Sequence, residues 1–156
     1  MKVGISMDYL DIRLLELLQT DGRMTISELS KNLSLSRPSI SERLHRLQEK
    51  NVIEGFSARV SPAAVGRSII LFIAMSQLRI PVHEFEKIIE NNLSIIECHR
   101  VTGNVSYFIK AAVPGMDSLR ALVDQLIPYG NVNTSIVLSS PISNRHIIPV
   151  EIGETR

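Results

Sequence analysis

The sequence has a single cysteine, Cys98, in 156 residues, so no internal disulfide can hold it together. A reducing, cytoplasmic setting is the expectation that follows. No apolar stretch approaches the roughly 20 residues that a membrane-spanning helix needs. The first ten residues contain Asp8 and no apolar run, so no signal peptide is expected. There is no large charge of one sign either, since the net charge is +1. No P-loop, no Gly-x-Gly-x-x-Gly and no His-Glu-x-x-His occurs, and spacing supports no Ser/His/Asp set. Cys98-His99 invites a metal reading, but neighbours on a strand point to opposite faces and cannot chelate one ion. No metal, no cofactor and no catalytic residue is therefore expected.

What remains is a globular composition, 44% hydrophobic and 21% charged, with a change of period along it. Up to residue 60 the apolar residues recur at helical spacing. Leu10, Leu14, Leu17 and Leu18 predict an amphipathic helix over residues 8–19, ended by Asp21-Gly22. Thr25-Ile26-Ser27-Glu28 has the form of a capping box, and a second helix follows with Ile26, Leu29 and Leu33 inward. Ser34 breaks it. Ser36 is a suitable N-cap for a third helix, with Pro38 in the first turn, where its missing N–H is harmless. Ile40, Leu44 and Leu47 form that helix's apolar stripe. Residues 53–60 read as a short strand.

Beyond a linker at residues 61–66 the pattern changes. Strands are expected at 67–77, 95–102, 105–112 and 132–139, and helices at 82–92 and 116–127. Gly103-Asn104 is expected to form a two-residue hairpin turn. The order is βαββαβ, a ferredoxin-like arrangement. The expected class is α+β, with a three-helix winged helix-turn-helix domain at 1–60 and a ferredoxin-like domain at 67–142. The tail, 143–156, is expected to add an edge strand around 145–148. The first strand is apolar on both faces, with Ile69, Leu71, Ile73 and Met75 alternating with Ile70, Phe72 and Ala74. Two helices cover only one face of such a sheet, so the other is expected to be buried in a dimer.

Two helices joined by a short turn can place the second in the DNA major groove, about 12 Å wide. Here the pair is 25–32 and 37–50. Residues 36–50 carry four basic and two acidic side chains besides His45. Pro38, Glu42, His45, Arg46 and Glu49 lie opposite the apolar stripe, with Arg37, Ser39, Ser41 and Arg43 on the flanks. Arg37, Ser41, His45 and Arg46 can donate to base edges or phosphates, and Glu42 can accept from cytosine. Thr25 and Ser27 mark a helix N-terminus whose free N–H groups can hold a phosphate. With Ser36, these residues form the expected DNA-binding set. Spacing alone leaves a plain solvated helix face as the alternative.

The order of motifs resembles that of the Lrp/AsnC regulators. Asp8-Tyr9-Leu10-Asp11 with Leu14 through Arg23 is similar to their opening helix. Ile26-Ser27-Glu28-Leu29-Ser30, Leu33-Ser34-Leu35-Ser36, Arg43-Leu44 and Leu47 resemble their helix-turn-helix. Asn51 through Phe56 resembles the exit into their hinge. The resemblance covers roughly residues 7–140. It implies homodimers that assemble into tetramers, octamers or larger discs, and binding to pseudo-palindromic double-stranded operators. It also implies an amino-acid-like effector held between subunits at a Gly-x-x-Asp-Tyr motif. The matching residues are Gly103, Asn104, Val105, Ser106 and Tyr107. Ser106 stands where the family has aspartate, and it offers an uncharged hydrogen bond in place of a carboxylate. The family usually has glycine in the helix-turn-helix turn, where Ser34 stands here. A left-handed serine there is expected to cost about 1 kcal/mol. A rival expectation is a tetrapyrrole enzyme like the sirohaem decarboxylases, which resemble the same two-domain fold. His99-Arg100 is the only pair suited to that role.

Overall fold

The computed structural model describes residues 6–149. Two compact units divide the chain, one running to Ala58 and regained by the tail from Ile142, the other spanning Arg59–Pro141.

The helical unit contains α1 (Tyr9–Thr20), α2 (Ile26–Leu33) and α3 (Arg37–Glu49). Each begins on a side-chain cap. Asp8 caps α1 and forms a capping box with Asp11, Thr25 does the same for α2 with Glu28, and Ser36 accepts from the Ser39 N–H for α3. Such caps satisfy helix N–H groups that would otherwise lack partners. Leu14, Leu15, Leu29, Ile40 and Leu47 are buried at the centre, with Leu17, Leu18, Ile26, Leu33 and Leu44 packed around them. Ser34 ends α2 in the left-handed region, at φ 53° and ψ 39°.

Two strands expected from the sequence do not form. Residues 53–60 join no ladder among the described residues, and Phe56 and Val60 are 50% and 61% exposed. The segment around 145–148 adds no edge strand to the sheet either. A strand requires a backbone partner, and neither segment has a strand of this chain beside it.

The α/β unit has the order β1 (Ile69–Ser76), α4 (Val82–Glu90), β2 (Ile95–Arg100), β3 (Tyr107–Val113), α5 (Met116–Leu126) and β4 (Asn131–Ile136). The strands form one sheet in the order β2-β3-β1-β4, with every neighbouring pair antiparallel. This is the expected βαββαβ arrangement. Ile73, in the centre of β1, pairs with Ile109 on β3 and Thr134 on β4. Leu71, Ile73, Met75, Tyr107 and Ile109 turn to the helices, where Phe85, Ile89, Leu122 and Leu126 bury them. Gly130 leads into β4 because the chain runs too close there for a side chain: an added Cβ would lie 2.7 Å from the Ser76 carbonyl oxygen.

The opposite face of the sheet is covered by no helix of the α/β unit among the described residues. Phe72 and Phe108 are each 45% exposed on it, beside the half-buried Ile70 and Ala74. The Glu97–Lys110 ion pair, 2.7 Å long, flanks this patch. The Lys110 hydrogen bond is the main reason that the Glu97 carboxyl titrates below its ordinary value. Among the described residues, no helix is long and apolar enough to cross a membrane.

Candidate nucleic-acid interface and sensor cleft

The recognition helix α3 is held from two sides. Ile40 and Leu47 are fully buried against α1 and α2. On the flank facing the start of α1, Arg43 and Arg46 converge on two carboxylates. Arg43 donates to both oxygens of Asp8 at 2.8 Å and to Asp11 at 2.7 Å. Arg46 donates to both oxygens of Asp11 at 2.7 and 2.8 Å. Asp11 is 1% exposed. A carboxylate so buried requires counter-charge and hydrogen bonds, and the two guanidinium groups supply both. For Asp8, burial raises the carboxyl's pKa, but the Asp11 N–H and Arg43 more than reverse it, leaving it below the ordinary value.

This geometry turns two residues of the expected DNA-binding set toward α1. Arg46 does not belong to the outward face: it turns to Asp11, as does Arg43, and both serve first to fix α3. The missed partners are Asp8 and Asp11. A signal was present, because Asp11 shares the inward stripe of Leu14, Leu15 and Leu18 at i+3, i+4 and i+7. A carboxylate at a core position implies a buried cation.

The outward face that remains carries Arg37, Pro38, Ser41, Glu42, His45 and Glu49, all exposed. His45 Nδ1 lies 3.3 Å from Glu49. Ser39 is half-buried, and Ser36 is committed to its cap. Arg37 enters no ion pair among the described residues, which leaves it as the uncommitted cation at the start of the helix. At the expected phosphate site at the start of α2, the capping box takes up the Thr25 and Glu28 N–H groups. Glu28 accepts from the Thr25 N–H and hydroxyl, both at 2.7 Å, and the Thr25 hydroxyl accepts from the Glu28 N–H. The Thr25 N–H chiefly holds the Glu28 carboxyl below its usual pKa, so a phosphate there would meet a fixed negative charge. Ser27, half-buried in the same turn, is left beside that charge.

In the α/β unit, the Gly103–Tyr107 segment is split in two. The expected two-residue turn is longer: the Val101 N–H bonds the Ser106 carbonyl at 3.0 Å, so residues 102–105 form the loop. Gly103 has φ 105°, which favours glycine. Asn104 is exposed, while Val105 and Ser106 are half-buried. The Ser106 N–H donates to the Met75 carbonyl at 2.7 Å. Tyr107 turns the other way, under α4. It is 2% exposed, its ring centroid lies 5.1 Å from that of Phe85, and its hydroxyl donates to Glu86 Oε1 at 2.6 Å. Burial, reinforced by Glu86, pushes the phenol pKa up to about 12. An open cleft of about 330 Å³ adjoins this pair, lined by Glu86, Ile89, Glu90, Cys98, Arg100 and Tyr107. Of the five expected sensor residues, Tyr107 alone lines it. Burial raises the Cys98 thiol's pKa in the same place.

His99 and Arg100, the pair considered for a tetrapyrrole, lie on opposite faces of the sheet. His99 pairs with Phe108, on the uncovered face, whereas Arg100 pairs with Tyr107, on the helix side. His99 is 66% exposed and lies 3.7 Å from Glu97.

Comparisons with known proteins agree with this layout. The AsnC-type helix-turn-helix domain matches residues 7–48, and the Lrp/AsnC ligand binding domain matches residues 68–147. An uncharacterized HTH-type transcriptional regulator of Bacillus subtilis is 33% identical over 86% of this chain and 95% of its own length. The leucine-responsive regulatory protein of Escherichia coli is 31% identical, over 93% of each chain. Among solved structures, the feast or famine regulatory protein of Mycobacterium tuberculosis complexed with L-methionine superposes with a TM-score of 0.84 at 31% identity, over 92% of this chain and all of that one. A Neisseria meningitidis transcriptional regulator in complex with L-Met gives 0.85 at 25% identity, over 91% of this chain and 96% of the other. With a helix-turn-helix unit whose recognition helix is pinned at its flank, and a ligand-binding unit behind it in sequence, the chain belongs to the Lrp/AsnC family of transcriptional regulators.

Proposed function

We propose that this regulator reads double-stranded DNA with the outward face of α3, using Arg37, Ser41 and His45 as donors and Glu42 as acceptor or orienting group. One observation carries the reading. The two arginines that face α1 are consumed in fixing the helix, while its opposite side stays exposed and polar. Arg43 and Arg46 are positioning residues in this account. Thr25, Ser27, Ser36 and Ser39 shape the approach to the groove.

The sheet face bearing Phe72 and Phe108 joins two chains into a homodimer. Two recognition helices then meet the half-sites of a pseudo-palindromic operator, about one helical turn or 34 Å apart. Dimers associate further into tetramers or octamers, as the family resemblance implies. The effector is amino-acid-like, bound beside Tyr107 at a subunit junction, with the loop from Gly103 to Ser106 at its edge. The L-methionine complexes of two relatives support this class of ligand. Arg100 suits a carboxylate, and Glu86 and Glu90 suit an ammonium group. That chemistry does not require the aspartate that Ser106 replaces.

Two experiments test the proposal. Duplex fragments selected from a random pool should share a two-fold sequence and shift the protein in a gel, whereas shuffled duplexes should bind far more weakly. Calorimetric titration with the twenty amino acids should give heat for at least one at millimolar concentration. An enriched pool without symmetry contradicts the dimeric reading, and twenty silent titrations contradict the effector.

A further inference from the structure

After the sheet ends, the chain returns to the helical unit, and one side chain takes hold of it. Gln19, near the end of α1, accepts from the Ile147 N–H at 2.8 Å and donates to the Ile147 carbonyl at 3.0 Å. Both bonds go to the backbone of one residue, which is how a neighbouring strand would meet it. The contact therefore recognises an extended chain rather than a side chain, and the Ile147 side chain stays 81% exposed. Alongside runs a groove of about 460 Å³, whose walls include Leu15 and Leu18 of α1, Met7, Phe56 and the tail's own Pro149.

We propose that residues 142–149 are a strap that docks on α1 through Gln19 and restrains the motion of the DNA-reading unit. With the strap free, a single linker after Ala58 joins that unit to the rest of the chain. With the strap docked, two chain segments do so, and each removes freedom from the other. The docking point has a consequence for function. α1 also carries Asp11, which holds Arg43 and Arg46 of the recognition helix. The strap therefore grips the same rigid element that positions α3. Its role in setting half-site geometry rests on the DNA-reading proposal above, but the strap itself is measurable without DNA.

The docking is marginal by design of its parts. Among the described residues it comprises two exposed hydrogen bonds and partial burial of Pro149. Two such bonds correspond to roughly five- to a hundredfold in a docking equilibrium. That range suits a contact that opens and closes.

The test uses the full chain. Trypsin cuts after Arg145, inside the strap, and cutting requires the segment to leave α1. Gln19→Ala removes the clasp from the helix side, and Ile147→Pro removes the N–H from the tail side. Both positions are exposed, so the helical content should stay unchanged. Cleavage after Arg145 should accelerate at least about fivefold in each variant. In parallel, a dye on Gln48→Cys in a Cys98→Ala background reports the freedom of the helical unit by time-resolved fluorescence anisotropy. The residual anisotropy should fall in both variants. Unchanged cleavage in both would overturn the docking. Faster cleavage with unchanged anisotropy would overturn the restraint. Failure of the protein to bind DNA would leave both readouts intact, so the two proposals fail separately.

Discussion

The buried carboxylate of Asp11 receives the guanidinium of Arg46 at 2.7 Å across the junction of α1 and α3. In the proposed DNA reading, this contact decides which arginines are free to meet DNA. It also fixes α3 against α1, because Arg43 binds the same carboxylate from one turn earlier. Removing Asp11 leaves Arg43 with Asp8 alone and Arg46 without its carboxylate, at a cost of about 1–3 kcal/mol. Asp11→Ala should therefore destabilise the helical unit by about that amount in urea unfolding. Arg46 is 41% exposed, so Arg46→Ala should cost clearly less, with Arg43 left to neutralise Asp11. A loss below ~1 kcal/mol for Asp11→Ala would mean that the cluster does not organise the unit.

Ser34 offers a stability test in the opposite direction. It is left-handed at φ 53°, a conformation that costs a residue with a Cβ about 1–2 kcal/mol. Glycine removes that strain but loses about 0.5–1 kcal/mol to the greater freedom of its unfolded chain. Ser34→Gly should stabilise the protein by about 0.5–1 kcal/mol, read from the urea midpoint at unchanged slope. Destabilisation would show that the serine side chain contributes more than the strain it brings.

Most of the architecture was legible in the sequence because it rests on local signals. The capping box at Thr25 and Glu28, the Ser36 cap and the apolar run along Ile69–Met75 each act over a few residues, and each belongs to an element present in the structure. What could not be read depends on partners distant in sequence. Asp11 and Arg46 are 35 positions apart, and only the packing of two helices brings them together. The direction of Tyr107 was not legible, because Phe85 and Glu86, more than twenty positions earlier, draw it under α4. Residues 53–60 have a strand-like composition without a strand beside them, so periodicity alone could not settle their state.

The Tyr107–Glu86 pair gives a pH signature. The phenol's folded pKa is about 12, above the roughly 10 of an unfolded tyrosine. Its contribution to stability is complete below about pH 10 and is lost as pH rises from there towards 12, because the unfolded chain ionises first. Ultraviolet titration should show a phenolate step near pH 12, and Glu86→Gln should move it down by removing the facing negative charge. A step that stays in place in Glu86→Gln would disconnect the two residues.

The uncovered sheet face makes a prediction about assembly. Phe72 and Phe108 stand exposed there on the two central strands. Phe72→Asp should put a charge into the proposed dimer interface and yield monomers in analytical ultracentrifugation, with the circular dichroism of the fold retained. A variant that keeps the wild-type mass would place the dimer contact elsewhere.

The most direct test of the DNA-reading face is the salt dependence of affinity for a selected operator, compared between the wild type and Arg37→Ala. A dimer that neutralises about six phosphates should show a log–log slope of about −5. Arg37→Ala should weaken binding and, where Arg37 meets phosphate, flatten that slope by about 2, one contact per subunit, with folding stability within about 0.5 kcal/mol of the wild type. Equal affinity and equal slope in the two proteins would contradict the account, because the outward side of α3 would then not be where the DNA lies.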